Sequence, residues 1–198
     1  MRRIATCLYG VAVLLASLSV VAGMTASAAE QTSTAAGAQK ADPNLEALRA
    51  KAQERMALDR SLLSNDEFRD LESLYQSANR DLRSPEAKAK LKEVVRKYRQ
   101  SNRAGCAVLY LAQISTGTER EEYLKSAIAS YGNSWYGDGV QVGALARAQL
   151  AVYYMNSGRA EDAQRLAEEL QSQFPGAVDH SGIRLTEGLE TLKPRRVP

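Results

Sequence analysis

One junction recurs three times along this chain and constrains how its helices are joined. It reads Tyr98-Arg-Gln-Ser101, Tyr131-Gly-Asn-Ser134 and Phe174-Pro-Gly-Ala177: an aromatic residue that ends a helix, a turn, and a small residue that begins the next helix. The first two junctions lie 33 residues apart and the last two 43. Because a single helical hairpin cannot bury its apolar face, this period predicts an all-α fold of antiparallel helical hairpins stacked as a short solenoid.

Helix start signals support the all-helical prediction, and no alternating strand pattern exceeds four residues. Ser64 followed by Glu67, and Thr118 followed by Glu121, are capping boxes, in which a hydroxyl and a carboxylate satisfy free amides of the first turn. Ser84-Pro85 places a proline at the first helical position. A helix is expected over residues 45–64, where apolar side chains recur every three or four residues: Leu45, Leu48, Ala52, Met56, Leu58 and Leu62.

The third repeat is about nine residues longer than a 34-residue period. The excess lies between Trp135 and Gly143. Nine residues correspond to about two and a half helical turns, so either the next helix is lengthened at its start or the junction forms a loop. Gly137, Asp138, Gly139 and Gly143 favour the loop.

The pattern resembles tetratricopeptide repeats over about residues 65–190. If Phe174 and Pro175 take positions 31 and 32 of such a repeat, seven residues fall at positions 7, 8, 11, 15, 20, 24 and 27: Leu150, Ala151, Tyr154, Gly158, Ala163, Ala167 and Leu170. The first repeat departs from the pattern at Tyr75, which is large where a small residue is usual, and the middle one at Arg120, which takes position 20. The junctions are similar to those of periplasmic members, such as the Tol–Pal system coordinator and the helical lipoprotein of outer-membrane assembly.

The resemblance implies a binding groove lined by the first helix of each hairpin. Carried over position by position, it names eight candidate groove residues: Arg69, Gln76, Asn79, Arg103, Tyr110, Gln113, Met155 and Asn156. It also implies that Ala163 and Ala167 lie at a close contact between helices.

Trp135 and Tyr136 flank the expected loop and leave two alternatives open. Either they pack on the helix that ends at Tyr131, or they form one lip of the groove, where aromatic anchors contribute much of the binding energy at interfaces.

The sequence contains no pattern typical of catalysis, a cofactor or a metal site. It has one histidine and two cysteines, and it lacks phosphate-binding glycine loops and paired metal-ligand motifs. His180, between Asp179 and Ser181, is interpreted as part of a helix N-cap turn that opens a closing helix over residues 178–192. Cys106 lies in an apolar helical run and is expected to be a buried thiol, with an intermolecular disulfide as the alternative.

The first 29 residues have the features of a secretory signal peptide. Arg2 and Arg3 precede a charge-free stretch over residues 4–29 that ends in small residues around Ala28. The alternative is an uncleaved N-terminal membrane anchor facing the periplasm. A flexible linker is expected over residues 30–44, the repeat domain over 65–192 and a frayed tail over 193–198.

These observations favour an exported, periplasmic protein-binding scaffold or adaptor of the cell envelope without catalytic activity. The formal net charge of +3 falls to +1 without the two leader arginines, so charge gives no support for a nucleic-acid partner. The expected partner is a protein or peptide of the envelope, with no membrane insertion after cleavage. The alternatives are a structural homo-oligomer and an accessory domain of an envelope enzyme.

Overall fold

The computed structural model describes residues 43–189, which form helices joined by short connections. The described helices are α1 (Pro43–Leu62), α2 (Asn65–Asn79), α3 (Pro85–Lys97), α4 (Asn102–Ile114), α5 (Gly117–Tyr131), α6 (Val142–Asn156), α7 (Ala160–Gln173) and α8 (Leu185–Leu189). Within this range, strand-like pairing is limited to two isolated bridges, Trp135 with Gln141 and Val178 with Arg184. The all-α prediction is confirmed. None of the described helices combines the length and apolar character needed to cross a bilayer.

Several predicted segments fall outside the described residues. They are the signal peptide over residues 1–29, the linker up to residue 42, residues 190–192 of the expected closing helix, and the tail over 193–198. The first described helix begins at Pro43, so the last two residues of the expected linker are helical.

The helices from α2 to α7 form three hairpins, α2–α3, α4–α5 and α6–α7, and each helix packs against the next one along the chain. The three junctions share one turn. The amide of the small residue donates to the carbonyl oxygen of the aromatic residue, at 2.9 Å for Ser101 and Ser134 and 3.0 Å for Ala177. This arrangement is a helical repeat in which every hairpin buries its apolar face on its neighbour.

Two of the three predicted helix starts are confirmed. Ser64 and Glu67 form a reciprocal capping box, and Ser84 caps α3 with Pro85 at its first position. The capping box at Thr118 was wrong, because the N-cap residue of α5 is Thr116, two residues earlier, and it makes no side-chain hydrogen bond.

Glu121, the expected partner of Thr118, instead accepts from three side chains, on α5, on α6 and in the turn before α7. Its Oε1 lies 2.7 Å from Lys125 Nζ, 2.9 Å from Arg159 Nη1 and 3.0 Å from the hydroxyl of Tyr154. These contacts, with Lys125 first, hold the pKa of the Glu121 carboxyl at about 2, below its ordinary 4.5. The cluster ties α5 to α6 and to the turn that precedes α7.

We expect this cluster to make stability pH-dependent. A lowered pKa in the folded state means that the contribution is present above pH 4.5 and is lost as the pH falls towards 2. Glu121→Gln should therefore lower the free energy of unfolding by about 1 kcal/mol at pH 7 and by much less near pH 2. Urea unfolding at both pH values checks this, with Glu122→Gln, an exposed neighbour, as control. An equal loss at both pH values would contradict the account.

Close packing between α6 and α7 yields a further prediction. Ala163 is almost fully buried, whereas Ala167, which was expected at the same tight contact, is only partly buried. Ala163→Leu should overpack the site and lower the free energy of unfolding by about 1–3 kcal/mol. Ala167→Leu should lower it by less. Thermal melts followed by circular dichroism compare the two variants. Equal melting temperatures would show that the helices meet elsewhere.

The nine-residue excess forms a loop, as its glycines predicted. In the first bridged loop (Trp135–Gln141), the amide of Tyr136 donates to the Val140 carbonyl at 2.9 Å, and Gly139 has a positive φ of 96°. The pattern returns 43 residues later in the second bridged loop (Val178–Arg184). There Asp179 donates to Ile183 at 2.9 Å, and Gly182 has a φ of 80°.

The second loop corrects the interpretation of residues 178–184 as the start of a helix. His180 lies inside the loop, and α8 begins only at Leu185. The Asp179 carboxylate does not cap a helix. It accepts from the amides of Ser181 and Ile183, at 2.8 and 3.0 Å, and so holds the loop in shape.

Helix α1 lies along the row of junctions. Near its start, Asn44 Nδ2 donates to the carbonyl of Gly176 at 3.0 Å. Further along α1, Leu48 contacts the backbone of Gly139 so closely that a Cβ added to this glycine would lie 3.1 Å from the Cβ of Leu48. Near its end, Asp59 reaches α4. A 20-residue helix is about 30 Å long, enough to contact all three junctions.

The buried face of α1 differs from the predicted stripe. Leu58 and Leu62 are exposed, whereas Asp59 is buried. Asp59 follows the buried Ala52 by seven residues, about two helical turns, so its carboxylate lies on the same inward face. Leu58 does not share that face. The Asp59 carboxylate accepts from the amide of Asn102 at 2.7 and 2.9 Å, at the N-terminus of α4. Burial raises the pKa of Asp59, although the Asn102 amide and the Arg55 guanidinium favour its charged form.

Candidate functional site: the first-helix face

Four aromatic rings line up across the first helices of the hairpins. They belong to Tyr75 of α2, Tyr110 of α4, Tyr136 of the first bridged loop and His180 of the second. Their centroids are 5.9, 5.5 and 4.8 Å apart in that order. We call these four residues the aromatic row. The side of α2 and α4 that carries its first two members, with the corresponding side of α6, is called the first-helix face. The spacings fall in the range of favourable ring contacts, so the row links four elements through one chain of contacts.

The members of the row differ in exposure. Tyr75 and Tyr136 are buried, Tyr110 is partly buried, and the His180 side chain is 44% exposed. Burial raises the pKa of the Tyr75, Tyr110 and Tyr136 phenols, so they stay protonated at neutral pH. The Tyr136 hydroxyl donates to the Cys106 carbonyl at 3.2 Å. Tyr110 and His180 are thus the members of the row that reach the surface.

A polar side-chain contact flanks each end of the row. At the α2 end, Arg103 Nε and Nη2 contact the Glu72 carboxylate at 2.6 and 3.1 Å, and the guanidinium lies 4.6 Å from the Tyr75 ring centre. This bidentate contact fixes the arginine over the ring. At the other end, His180 Nδ1 lies 2.8 Å from Asp138 Oδ2, which links the two bridged loops.

Cys106 lies beneath the row as a buried free thiol. Its Sγ is 3.5 Å from the carbonyl oxygen of Trp135, and burial raises its pKa to about 12. A thiol that keeps its proton is a poor nucleophile and metal ligand, so Cys106 serves packing.

Three predicted groove residues meet in or beside the row: Arg103, Tyr110 and Tyr136. Two others share the face on α2 but bond within their own helix. Arg69 pairs with Asp66 at 2.7 Å, and Gln76 donates to Glu72 at 3.3 Å.

The remaining groove candidates lie towards the far ends of the first helices. Gln113 is exposed and borders a cavity of about 520 Å³ together with Ile114, Leu82 and Lys88. Asn79 is partly buried, and its Oδ1 has no hydrogen-bond partner among the described residues. At the end of α6, Met155 packs against the core and Asn156 is exposed. No described contact connects these residues to the row.

Trp135 is not an exposed lip. Trp135 is only 9% exposed, and Tyr136 only 6%. The Asn102 side chain holds the Trp135 backbone in both directions: Nδ2 donates to the Trp135 carbonyl at 2.8 Å, and the Trp135 amide donates to Oδ1 at 2.7 Å. These bonds hold the start of the loop against α4, so both aromatic side chains are buried.

Sequence reasoning missed Tyr75, His180 and Asp138 as members of this site. Tyr75 carried a signal, because it departs from the repeat pattern at a position where a small residue is usual. His180 carried none, since the second bridged loop shares little sequence with the first.

Among the described residues, no group of three or more histidine, cysteine, aspartate or glutamate side chains is arranged to hold a metal ion. The chain matches no protein-family model, no curated protein and no solved structure.

Proposed function

We propose that this chain is an exported, tetratricopeptide-like adaptor that binds a protein or peptide segment of the cell envelope along its first-helix face and performs no catalysis. The aromatic row is the observation on which this proposal depends. It runs across two hairpins and both bridged loops, and it brings Tyr110 and His180 to the surface on a backing of buried rings.

The chemistry of the row suits an extended segment with an apolar or aromatic residue at its centre. Tyrosine and arginine are enriched among the residues that dominate binding energy, because they offer a large rigid surface with polar edges. The Arg103–Glu72 ion pair and the His180–Asp138 contact would face polar or charged residues of the segment on either side.

Site-specific cross-linking tests the proposal. A photoreactive amino acid is placed at Gln76 or at Gln113, both exposed on first helices, and in a control variant at Gln164, exposed on α7. After irradiation of intact cells, the proposal predicts the same cross-linked partner from both first-helix positions and none from Gln164. Tyr110→Ala should reduce the yield at both positions.

The outcomes separate the alternatives. A cross-link between two copies of this chain would replace the adaptor with a homo-oligomer. A single enzyme as partner would favour an accessory domain. Equal labelling from Gln164 would show that the first-helix face is not the binding surface.

A further inference from the structure

The two bridged loops share a backbone but differ in what they place over the helix beneath them. Tyr136 of the first loop corresponds to Asp179 of the second, 43 residues on. The Tyr136 ring packs on Tyr110, and its hydroxyl reaches the Cys106 carbonyl, so it covers α4. The Asp179 carboxylate instead accepts hydrogen bonds from two amides of its own loop and does not cover α6. The corresponding surface of α6 therefore lacks an aromatic cover.

The uncovered surface forms a pocket of about 270 Å³ between α6 and the second bridged loop. Its apolar lining consists of Ala148, Val152, Ile183 and Leu185. Val152 is 45% exposed and Ile183 54%, both unusually high for large apolar side chains in this protein. The volume lies just below the range of about 300–1,000 Å³ typical of drug-sized ligands, so the pocket fits a ligand of about the size of one amino acid.

Two buried polar atoms at this pocket have no hydrogen-bond partner among the described residues: the donor Arg120 Nε and the acceptor Gln149 Oε1. Buried polar groups are nearly always paired, so each such atom calls for an explanation. Arg120 stands where the other repeats have buried alanines, Ala87 and Ala163. It therefore brings a charge into a contact that is apolar elsewhere in the fold.

The pocket is positively charged. Arg184 also lines it, and neither Arg120 nor Arg184 forms an ion pair with any described residue. The one acid in the lining, Asp179, uses its Oδ1 for two amides of its own loop. An anion that enters would meet two guanidinium groups, the side chains best suited to carboxylates.

We propose that this pocket binds an acylated apolar amino acid, either as a free molecule or as the last residue of a chain. Its carboxylate pairs with Arg120 and Arg184, its amide lies beside the Gln149 side chain, and its apolar side chain lies on Ala148, Val152 and Ile183. The site uses none of the four residues of the aromatic row, so its test is separate from that of the proposed function.

N-acetyl-leucine is the probe, titrated into the purified full chain and followed by NMR. We expect millimolar binding, with shifts of the Val152 and Ile183 methyl signals and of the Gln149 side-chain amide. N-acetyl-leucinamide, which lacks only the carboxylate, should bind at least tenfold more weakly. An acetylated tripeptide ending in leucine identifies the source: tighter binding than N-acetyl-leucine assigns the end of a chain, and equal binding assigns a free molecule.

Variants locate the site. Arg184→Gln, on an exposed side chain, should weaken binding about five- to tenfold, and Ala148→Leu should block it by filling the pocket. Arg96→Gln, an exposed arginine of α3, is the matched control and should change nothing. Absence of binding to the unaltered protein, or equal binding of the leucinamide, would overturn the proposal, as would an equal loss in the Arg96 control.

Discussion

Replacing Trp135 by alanine should lower the free energy of unfolding by about 3–5 kcal/mol, the range for large buried aromatic side chains. The side chain is buried at the base of the first bridged loop, and α1 packs over the same loop at Gly139. Its loss should leave a cavity that rigid helices on either side cannot close. Guanidinium unfolding followed by circular dichroism measures the change.

Two further variants make this test specific. Trp135→Phe keeps a ring in place and should cost clearly less than the alanine variant. Val152→Ala removes an apolar side chain that is nearly half exposed, and it should cost well under the buried tryptophan. A change of less than about 0.5 kcal/mol for Trp135→Ala would place the ring at the surface and restore the lip hypothesis.

The second large effect is expected at Gly143. A Cβ there would lie 2.6 Å from the Cα of Gly132 and 2.7 Å from its carbonyl oxygen. Both atoms are backbone, so no side-chain rotation relieves the clash, and the ends of α5 and α6 must separate. We expect Gly143→Ala to cost about 3 kcal/mol, the upper part of the overpacking range, despite the better helix propensity of alanine.

Gly158→Ala is the control for this variant. Gly158 has a positive φ of 74°, but an added Cβ would meet no atom within 4 Å. Its substitution should therefore lower the free energy of unfolding only through backbone strain, by about 1–2 kcal/mol. Thermal melts of the two variants compare overpacking with strain. A Gly143→Ala protein at least as stable as the original would show that α5 and α6 do not approach at this point.

Local signals predicted the helices well. Ser64, Ser84 and Pro85 mark helix starts because the chemistry of a first turn is contained within four residues. The aromatic junctions at Tyr98, Tyr131 and Phe174 mark turns for a similar reason. The Thr118 box failed because the carboxylate of Glu121 is engaged by residues up to 38 positions away, which no short motif reports.

The sequence did not predict the second bridged loop, because backbone hydrogen bonds define the shape of this loop and few side chains mark it. The two loops share a glycine with positive φ, Gly139 and Gly182, followed in each by a β-branched apolar residue. So short a shared pattern is easily missed in a single sequence. The inward orientation of Asp59 was not predicted either, because Leu58 and Leu62, four residues apart, suggested a different buried face of α1. Its partner, the amide of Asn102, lies 43 residues further along the chain.

Departures from the repeat pattern were the best guide to candidate sites. Tyr75 is large where a small residue is usual, and it begins the aromatic row. Arg120 is charged at a position where Ala87 and Ala163 are buried, and it lines the open pocket over α6. Positions that violate the rules of a fold are expected where binding, and not packing, determines the residue.

The affinity of the cross-linked partner segment tests the central proposal most directly. A synthetic peptide of that segment is titrated against the unaltered protein, Tyr110→Ala and Tyr123→Ala. Tyr123, also partly buried, lies on α5, outside the first-helix face, and provides the matched control. The proposal predicts that Tyr110→Ala weakens binding about 30-fold or more, as expected for a dominant interface residue, while Tyr123→Ala stays within about twofold. Equal losses in both variants, or an unchanged affinity for Tyr110→Ala, would contradict it.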